Sequence, residues 1–209
     1  MDGAAGRPER PHRPSLHSDL TELIDAAGGD GSQSRAEIAA ATAALLVEAG
    51  RARPADTDGP FVDLADQVGL ETLAALWSHS DPVSLPGALW ALYLLRQWCR
   101  SSGDEVTRLW RAGEPVATAD AVVAGVADYA TPDAVREVAD SVLNGAYRGD
   151  FAVALERAAG LFRVLAAGRR ELLSPGDPGA AELALAVRNE RAAADLSAAA
   201  DRWRAGTLH

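Results

Sequence analysis

A group of aromatic and cationic side chains, Trp90, Tyr93 and Arg96, is the part of this sequence that most resembles a binding site. Helical residues three apart are neighbours on the helix surface. A guanidinium beside aromatic rings can hold a small anion or an aromatic ligand. The same residues also suit a structural role, in which the arginine stem covers apolar surface beside core aromatics. If Arg96 is buried, it needs an acidic partner from a neighbouring helix.

The other reactive side chains fit structural roles better than catalytic ones. Residues 78–81 read Ser-His-Ser-Asp, but a catalytic relay needs groups that converge in space, and loop neighbours more often form a capped turn. The single cysteine, Cys99, lies in an apolar stretch and is expected to be an inert core thiol. The Glu-x-x-His spacing of helical metal sites occurs only at Glu9 and His12, in a proline-rich segment. We therefore expect no catalytic residue, no metal and no cofactor.

Composition excludes further classes of chemistry. The 209 residues carry a formal net charge of −10, and all 20 basic residues are arginine. Without lysine there is no phosphate-binding Walker lysine, no Schiff base and no Ser-Lys nucleophile pair. An acidic chain is a poor match for nucleic acid. Arginine without lysine, together with abundant alanine and glycine, indicates a GC-rich bacterial genome.

The segment that must position the aromatic group is the apolar helix predicted over residues 84–100. It contains eight consecutive apolar residues, 88–95, so other helices must cover it on several sides. Ser84 and Pro86 form a typical helix start. The run is too short to span a membrane, and the first residues lack the apolar core of a signal peptide. We expect a cytoplasmic protein with no membrane contact.

Around this helix the sequence predicts an all-α, bundle-like domain of about eight or nine helices. A disordered tail is expected over residues 1–18, a helical core over 19–173, a linker over 174–179 and a C-terminal helix over 180–209.

Several helix boundaries are predicted inside this core. Ser34 is expected to cap a helix over residues 35–53, and Thr131 to begin one that stops at Asn144-Gly145. Asp150 is expected to cap a helix over residues 151–172, packed beside the central one.

The C-terminal helix carries a thin, alanine-rich seam. Such a seam favours close helix packing, either against the body of the chain or against a second copy in a homodimer. Its expected members are Leu185, Asn189, Ala192, Leu196, Ala199 and Trp203.

Residues 36–50 followed by FVDLADQVGLETLAALW, residues 61–77, resemble the helix-turn-helix of TetR-type repressors. This resemblance implies a DNA-reading helix whose DNA contacts would be Thr72, Ser78 and His79; Glu71 is the other polar group there. It also implies a small-molecule pocket near Trp90 and Arg96. Residues 71–78 contain no arginine, however, and DNA affinity comes largely from cationic contacts to phosphate. Nucleic acid is therefore the less favoured partner.

Two further stretches, LPGALWALYLLRQWCR at 85–100 and GAYRGDFAVALERAA at 145–159, resemble a group of uncharacterised helical proteins from high-GC, actinobacterial-type genomes. The resemblance implies a fold more than an activity. The first function hypothesis is a non-enzymatic, cytoplasmic interaction or adaptor protein with a protein partner of unknown identity. The alternative is a TetR-like transcriptional regulator with a ligand pocket near Trp90 and Arg96.

Overall fold

The computed structural model describes residues 32–51, 70–125, 131–173 and 179–209. Within these ranges the chain forms eight α-helices and no strand, which confirms the all-α prediction. The predicted tail, the segment 61–69 and residues 174–178 of the linker lie outside the described residues. The helices are α1 (Ser32–Arg51), α2 (Leu70–Trp77), α3 (Leu85–Ser101), α4 (Gly103–Gly113), α5 (Thr118–Ala124), α6 (Pro132–Arg148), α7 (Phe151–Glu171) and α8 (Ala180–Arg204).

Three helices begin with the side-chain caps that the sequence predicts. The hydroxyls of Ser84 and Thr131 accept hydrogen bonds from the amides three residues further on, at 3.3 Å and 3.1 Å. The Asp150 carboxylate accepts from the amide two residues further on, at 2.9 Å. Each cap satisfies an amide that has no partner within its helix. Local residue type therefore fixes the starts of α3, α6 and α7.

Two predicted boundaries are wrong. Helix α1 begins at Ser32, so Ser34 lies inside its first turn instead of capping it. Helix α6 continues through Asn144-Gly145 to Arg148. Ala146 and Tyr147 are buried in the core, and this burial outweighs the low helix propensity of the Asn-Gly pair.

Helix α3 is covered on several sides, as its sequence predicts. It contacts α1, α2, α4, α6, α7 and α8, and Leu89, Leu92 and Cys99 are buried along it. Tyr93 is also buried on this helix, whereas Leu94 is exposed beside Gln97.

Helix α7 joins most of the other helices together. It packs most extensively against α8 and α4 and touches α3 only slightly, so it is not the close neighbour of α3 that was expected. Glycines explain the close packing of α4 on α7. A Cβ atom at Gly168 would lie 1.9 Å from the Leu109 carbonyl oxygen, and one at Gly113 would lie 2.0 Å from that of Val164. The two backbones are therefore in direct contact.

Helix α8 packs on the body of its own chain, mainly against α7. Its buried face differs slightly from the predicted seam, since Ala186 and Ala193 are buried while Leu185 and Ala192 are half-buried. A homodimer through the C-terminal helix stays a prediction, and it would have to use the exposed face of α8. None of the described helices has the length and hydropathy needed to cross a membrane.

Candidate functional site: a groove between α3 and α8

The structure does not bring Trp90, Tyr93 and Arg96 together around one cavity. Tyr93 and Arg96 are 1% and 2% exposed and belong to the core, whereas Trp90 is half-buried at the surface. Each residue of an α-helix turns about 100° from the previous one. Trp90 and Arg96 therefore point about 120° apart, and only Trp90 faces outward.

Arg96 has the acidic partner that its burial requires. Its Nε donates a hydrogen bond of 2.6 Å to Oδ1 of Asp140 on α6. Arg100 approaches the other oxygen of Asp140 at 3.6 Å. The charge of Arg96 is therefore used to join α3 to α6, which matches the structural interpretation of this residue.

Tyr93 lies against a second buried phenol. The hydroxyls of Tyr93 and Tyr147 are 3.1 Å apart, and the Trp77 and Tyr93 rings are centred 5.9 Å apart. Burial raises the pKa of Tyr93 to about 12 and that of Tyr147 well above its ordinary value. Both phenols are thus neutral core groups at physiological pH.

The two remaining candidates for nucleophilic chemistry have structural partners or surroundings. Ser78 Oγ lies 3.0 Å from His79 Nδ1, while Asp81 Oδ1 accepts from the Val83 amide at 2.7 Å. This is the arrangement of a capped turn. Burial, followed by the nearby charge of an aspartate, raises the pKa of the Cys99 thiol to about 12. A thiol in that state is a poor nucleophile.

Helix α2 presents little that could read DNA. Leu73, Leu76 and Trp77 are buried, and Trp77 Nε1 donates to Thr42 Oγ1 of α1 at 3.2 Å. Of the predicted reading residues, Thr72 is half-buried, while Ser78 and His79 are exposed just beyond the helix. The segment predicted as the first half of the helix-turn-helix lies outside the described residues.

The surface around Trp90 forms a groove between α3 and α8, with a cavity of about 320 Å³. We call it the α3–α8 groove. Its residues are Ser78, Ser80 and Pro82 from the preceding turn, Gly87, Trp90, Ala91 and Leu94 of α3, and Arg188, Arg191, Ala192, Asp195 and Leu196 of α8. The groove therefore combines an apolar floor on α3 with two arginines of α8, which lie about a hundred residues further along the chain.

Both walls of the groove repeat at the helical period. The α3 wall uses positions 87, 90, 91 and 94, and the α8 wall uses 188, 191, 192 and 195. Each set follows i, i+3, i+4 and i+7 and spans about 10.5 Å at 1.5 Å per residue. Leu94 is 42% exposed, so the apolar floor faces solvent. The groove is therefore long enough for about two turns of a bound helix.

Arg188 and Arg191 are unusual among the arginines of α7 and α8. Neither makes an ion pair or a side-chain hydrogen bond within the described part of the chain. By contrast, Arg169 contacts Glu182 at 2.7 Å, and Arg204 contacts Glu156 at 2.7 Å. Asp195 is the one carboxylate lining the groove. The groove therefore presents two uncommitted cations and one anion.

Two other cavities, of about 370 Å³ and 590 Å³, lie between α1 and the end of the chain and share Ala40 and His209. Sequence on both sides of α1 is outside the described residues, whereas both walls of the α3–α8 groove are described helices. No group of three or more His, Cys, Asp or Glu residues suited to a metal ion occurs in the described ranges.

The sequence pointed to Trp90 but missed Arg188 and Arg191. The sequence shows that these arginines are three residues apart on one predicted helix. No residue near them predicts that this face of α8 lies beside Trp90. Comparison with known proteins found no matching family model, no similar curated protein and no similar solved structure.

Proposed function

We propose that this chain is a non-enzymatic, cytoplasmic adaptor that binds a helix of a protein partner in the α3–α8 groove. The observation that carries this proposal is the exposed apolar floor formed by Trp90 and Leu94 between two helices. In helix-in-groove recognition, a bound helix places apolar anchors at i, i+3, i+4 and i+7 into an apolar groove. The floor between α3 and α8 offers an apolar surface about two helical turns long. Ala91 and Ala192 leave room for the backbone of a bound helix to approach closely.

Two observations support the non-enzymatic part of the proposal. The Asp81 carboxylate beside Ser78 and His79 is engaged by the Val83 amide. Cys99 is a buried thiol whose pKa of about 12 keeps it protonated. Both groups thus have structural roles in the folded chain.

The test compares wild-type protein with two matched variants. Leu94→Asp places a charge on the groove floor, where the leucine is 42% exposed. Val122→Asp places the same charge on α5, where the valine is 81% exposed. Tagged proteins are purified from native lysate, with and without nuclease, and co-purifying proteins are quantified by mass spectrometry. Circular dichroism verifies that both variants fold.

We expect a stoichiometric protein partner that survives nuclease, is retained by Val122→Asp and is lost by Leu94→Asp. A partner retained equally by both variants would place the interaction elsewhere and overturn the groove proposal. An identified product of catalytic turnover by the purified chain would overturn the non-enzymatic part.

A TetR-like regulator is the second candidate. One observation favours it: Ser78, which follows α2 and is a predicted DNA contact, lines the same groove as Arg188 and Arg191. Arginines of this kind can bind phosphate. This candidate is disfavoured by α2 itself, in which Glu71 is the only charged residue. Recovery of specific DNA that disappears on nuclease treatment would select this function instead.

A further inference from the structure

Resting on the proposed function, we infer that the occupant of the α3–α8 groove is an acidic amphipathic helix. Its apolar side would cover Trp90 and Leu94, and its carboxylates would pair with Arg188 and Arg191. The inference depends on charge complementarity within the groove as well as on its apolar floor.

The charge of the groove is opposite in sign to that of the whole chain. At a net charge of −10, the protein repels an acidic partner at long range. Yet the groove wall carries two arginines that are three residues apart on α8 and have no partner among the described residues. Arginine binds carboxylates through two parallel hydrogen bonds. Glutamates three or four residues apart on a bound helix would match the spacing of Arg188 and Arg191.

The groove also fixes where the acidic residues must lie. The end of α8 approaches the start of α3, because an Arg202 guanidinium nitrogen donates to the Val83 carbonyl at 2.9 Å. Along α8, Asp195 is seven residues from Arg202, about 10.5 Å at 1.5 Å per residue, and Arg188 is fourteen residues away, about 21 Å. Asp195 therefore lies nearer to that contact than Arg188 does, and it would repel a carboxylate at its end of the groove. Acidic residues should thus cluster at one end of the partner helix.

A second copy of this chain fits the same groove less well. In a two-fold dimer the same surface patch meets itself. The two grooves together would bring four arginines and two aspartates into one interface, because each groove contains Arg188, Arg191 and Asp195. The excess positive charge would stay uncompensated, and like charges across an interface are destabilising. A separate partner of opposite charge removes this repulsion.

The probe for this inference is a pair of fluorescein-labelled synthetic peptides of about 18 residues, long enough to form a helix. Both have an alanine background and leucines at i, i+3 and i+7. One carries two glutamates three residues apart near one end, and the other carries lysines at those positions. Binding to the full chain is measured by fluorescence anisotropy at low and high salt.

We expect the glutamate peptide to bind roughly tenfold more tightly than the lysine peptide at low salt, a difference of about 1.4 kcal/mol. High salt should narrow the difference, because it screens exposed charges. The double variant Arg188→Glu/Arg191→Glu should reverse the preference. The control for a charge reversal outside the groove is Arg108→Glu on α4, where an exposed arginine also lacks a described ion pair. This control should leave the preference unchanged.

Equal affinity for the two peptides, preference for the lysine peptide, or no binding of either would overturn the inference. So would a concentration-dependent dimer that Leu94→Asp abolishes, since the occupant would then be a second copy. These results are separable from failure of the proposed function. A lysate partner lost by Leu94→Asp but retained by Arg188→Glu/Arg191→Glu keeps the adaptor proposal and rejects an acidic partner.

Discussion

The contact between α4 and α7 predicts an unusually harmful glycine-to-alanine substitution. In Gly168→Ala the new Cβ would lie 1.9 Å from the Leu109 carbonyl oxygen and 2.7 Å from its carbon. Ordinary contacts begin near 3.4 Å, so the atoms must separate by about 1.5 Å. The obstacle is helix backbone and not a flexible side chain, so relief requires moving α4 away from α7.

The size of the effect follows from two opposing terms. Overpacking a core typically costs about 1–3 kcal/mol, and a backbone obstacle places Gly168 at the upper end. Replacing glycine by alanine within a helix returns about 1 kcal/mol. We therefore expect Gly168→Ala to lower the free energy of unfolding by about 2 kcal/mol or more. For a chain of this length that corresponds to a fall in Tm of roughly 4–8 °C.

Urea unfolding followed by circular dichroism measures this change, and Gly145→Ala is its control. Gly145 is also helical, but a Cβ there would lie 3.8 Å from the Ala154 Cβ, an ordinary contact. That substitution should stabilise the protein by about 0.5–1 kcal/mol. If Gly168→Ala also stabilises the protein, the two backbones do not touch and the account of the α4–α7 contact is wrong.

Two further predictions concern buried polar groups. Asp140→Asn removes the negative charge that faces Arg96 and should lower the free energy of unfolding in urea by about 2 kcal/mol. This is less than the roughly 3–5 kcal/mol of a fully buried pair, because Asp140 is 30% exposed. Asp133→Asn, at an exposed pair, should cost under about 0.5 kcal/mol, and equal losses would contradict a special role for Asp140. Burial raises the pKa of Tyr93 to about 12 and that of Tyr147 well above its ordinary value, so above pH 10 the unfolded chain loses these protons first. The free energy of unfolding should be unaffected by these two phenols below pH 10 and should fall from pH 10 towards 12. The measurement uses Tyr129→Phe, which removes the third tyrosine. Phenolate absorbance that appears in this variant before helical dichroism is lost would refute the prediction.

The features that the sequence predicted well depend on residues close together in the chain. The Ser84, Thr131 and Asp150 caps each bond to an amide two or three residues away. Residues 88–95 form an uninterrupted apolar run. A helix that is apolar on most of its circumference must be covered on several sides, so the burial of α3 could be predicted from these residues alone. Such local and periodic signals need no knowledge of the neighbouring helices.

The features that were missed depend on contacts between distant helices. Nothing near Tyr93 in the sequence reveals Tyr147, 54 residues away, as the group facing its hydroxyl. The cation near Trp90 was expected from Arg96 on the same helix, but the groove takes Arg188 and Arg191 from α8 instead. Their position depends on the docking of α8, which is a property of the folded chain.

If the proposed partner occupies the groove, its binding and the docking of α8 are thermodynamically linked. Ion pairs hold α8 to α7, including Arg169 with Glu182 and Arg204 with Glu156, while the buried seam between the helices is largely alanine. A ligand that touches α3 and α8 together binds only the chain in which α8 is docked. By mass action such a ligand must stabilise the docked form. A partner bound through Arg188 and Arg191 would thus raise the stability of the docked C-terminal helix.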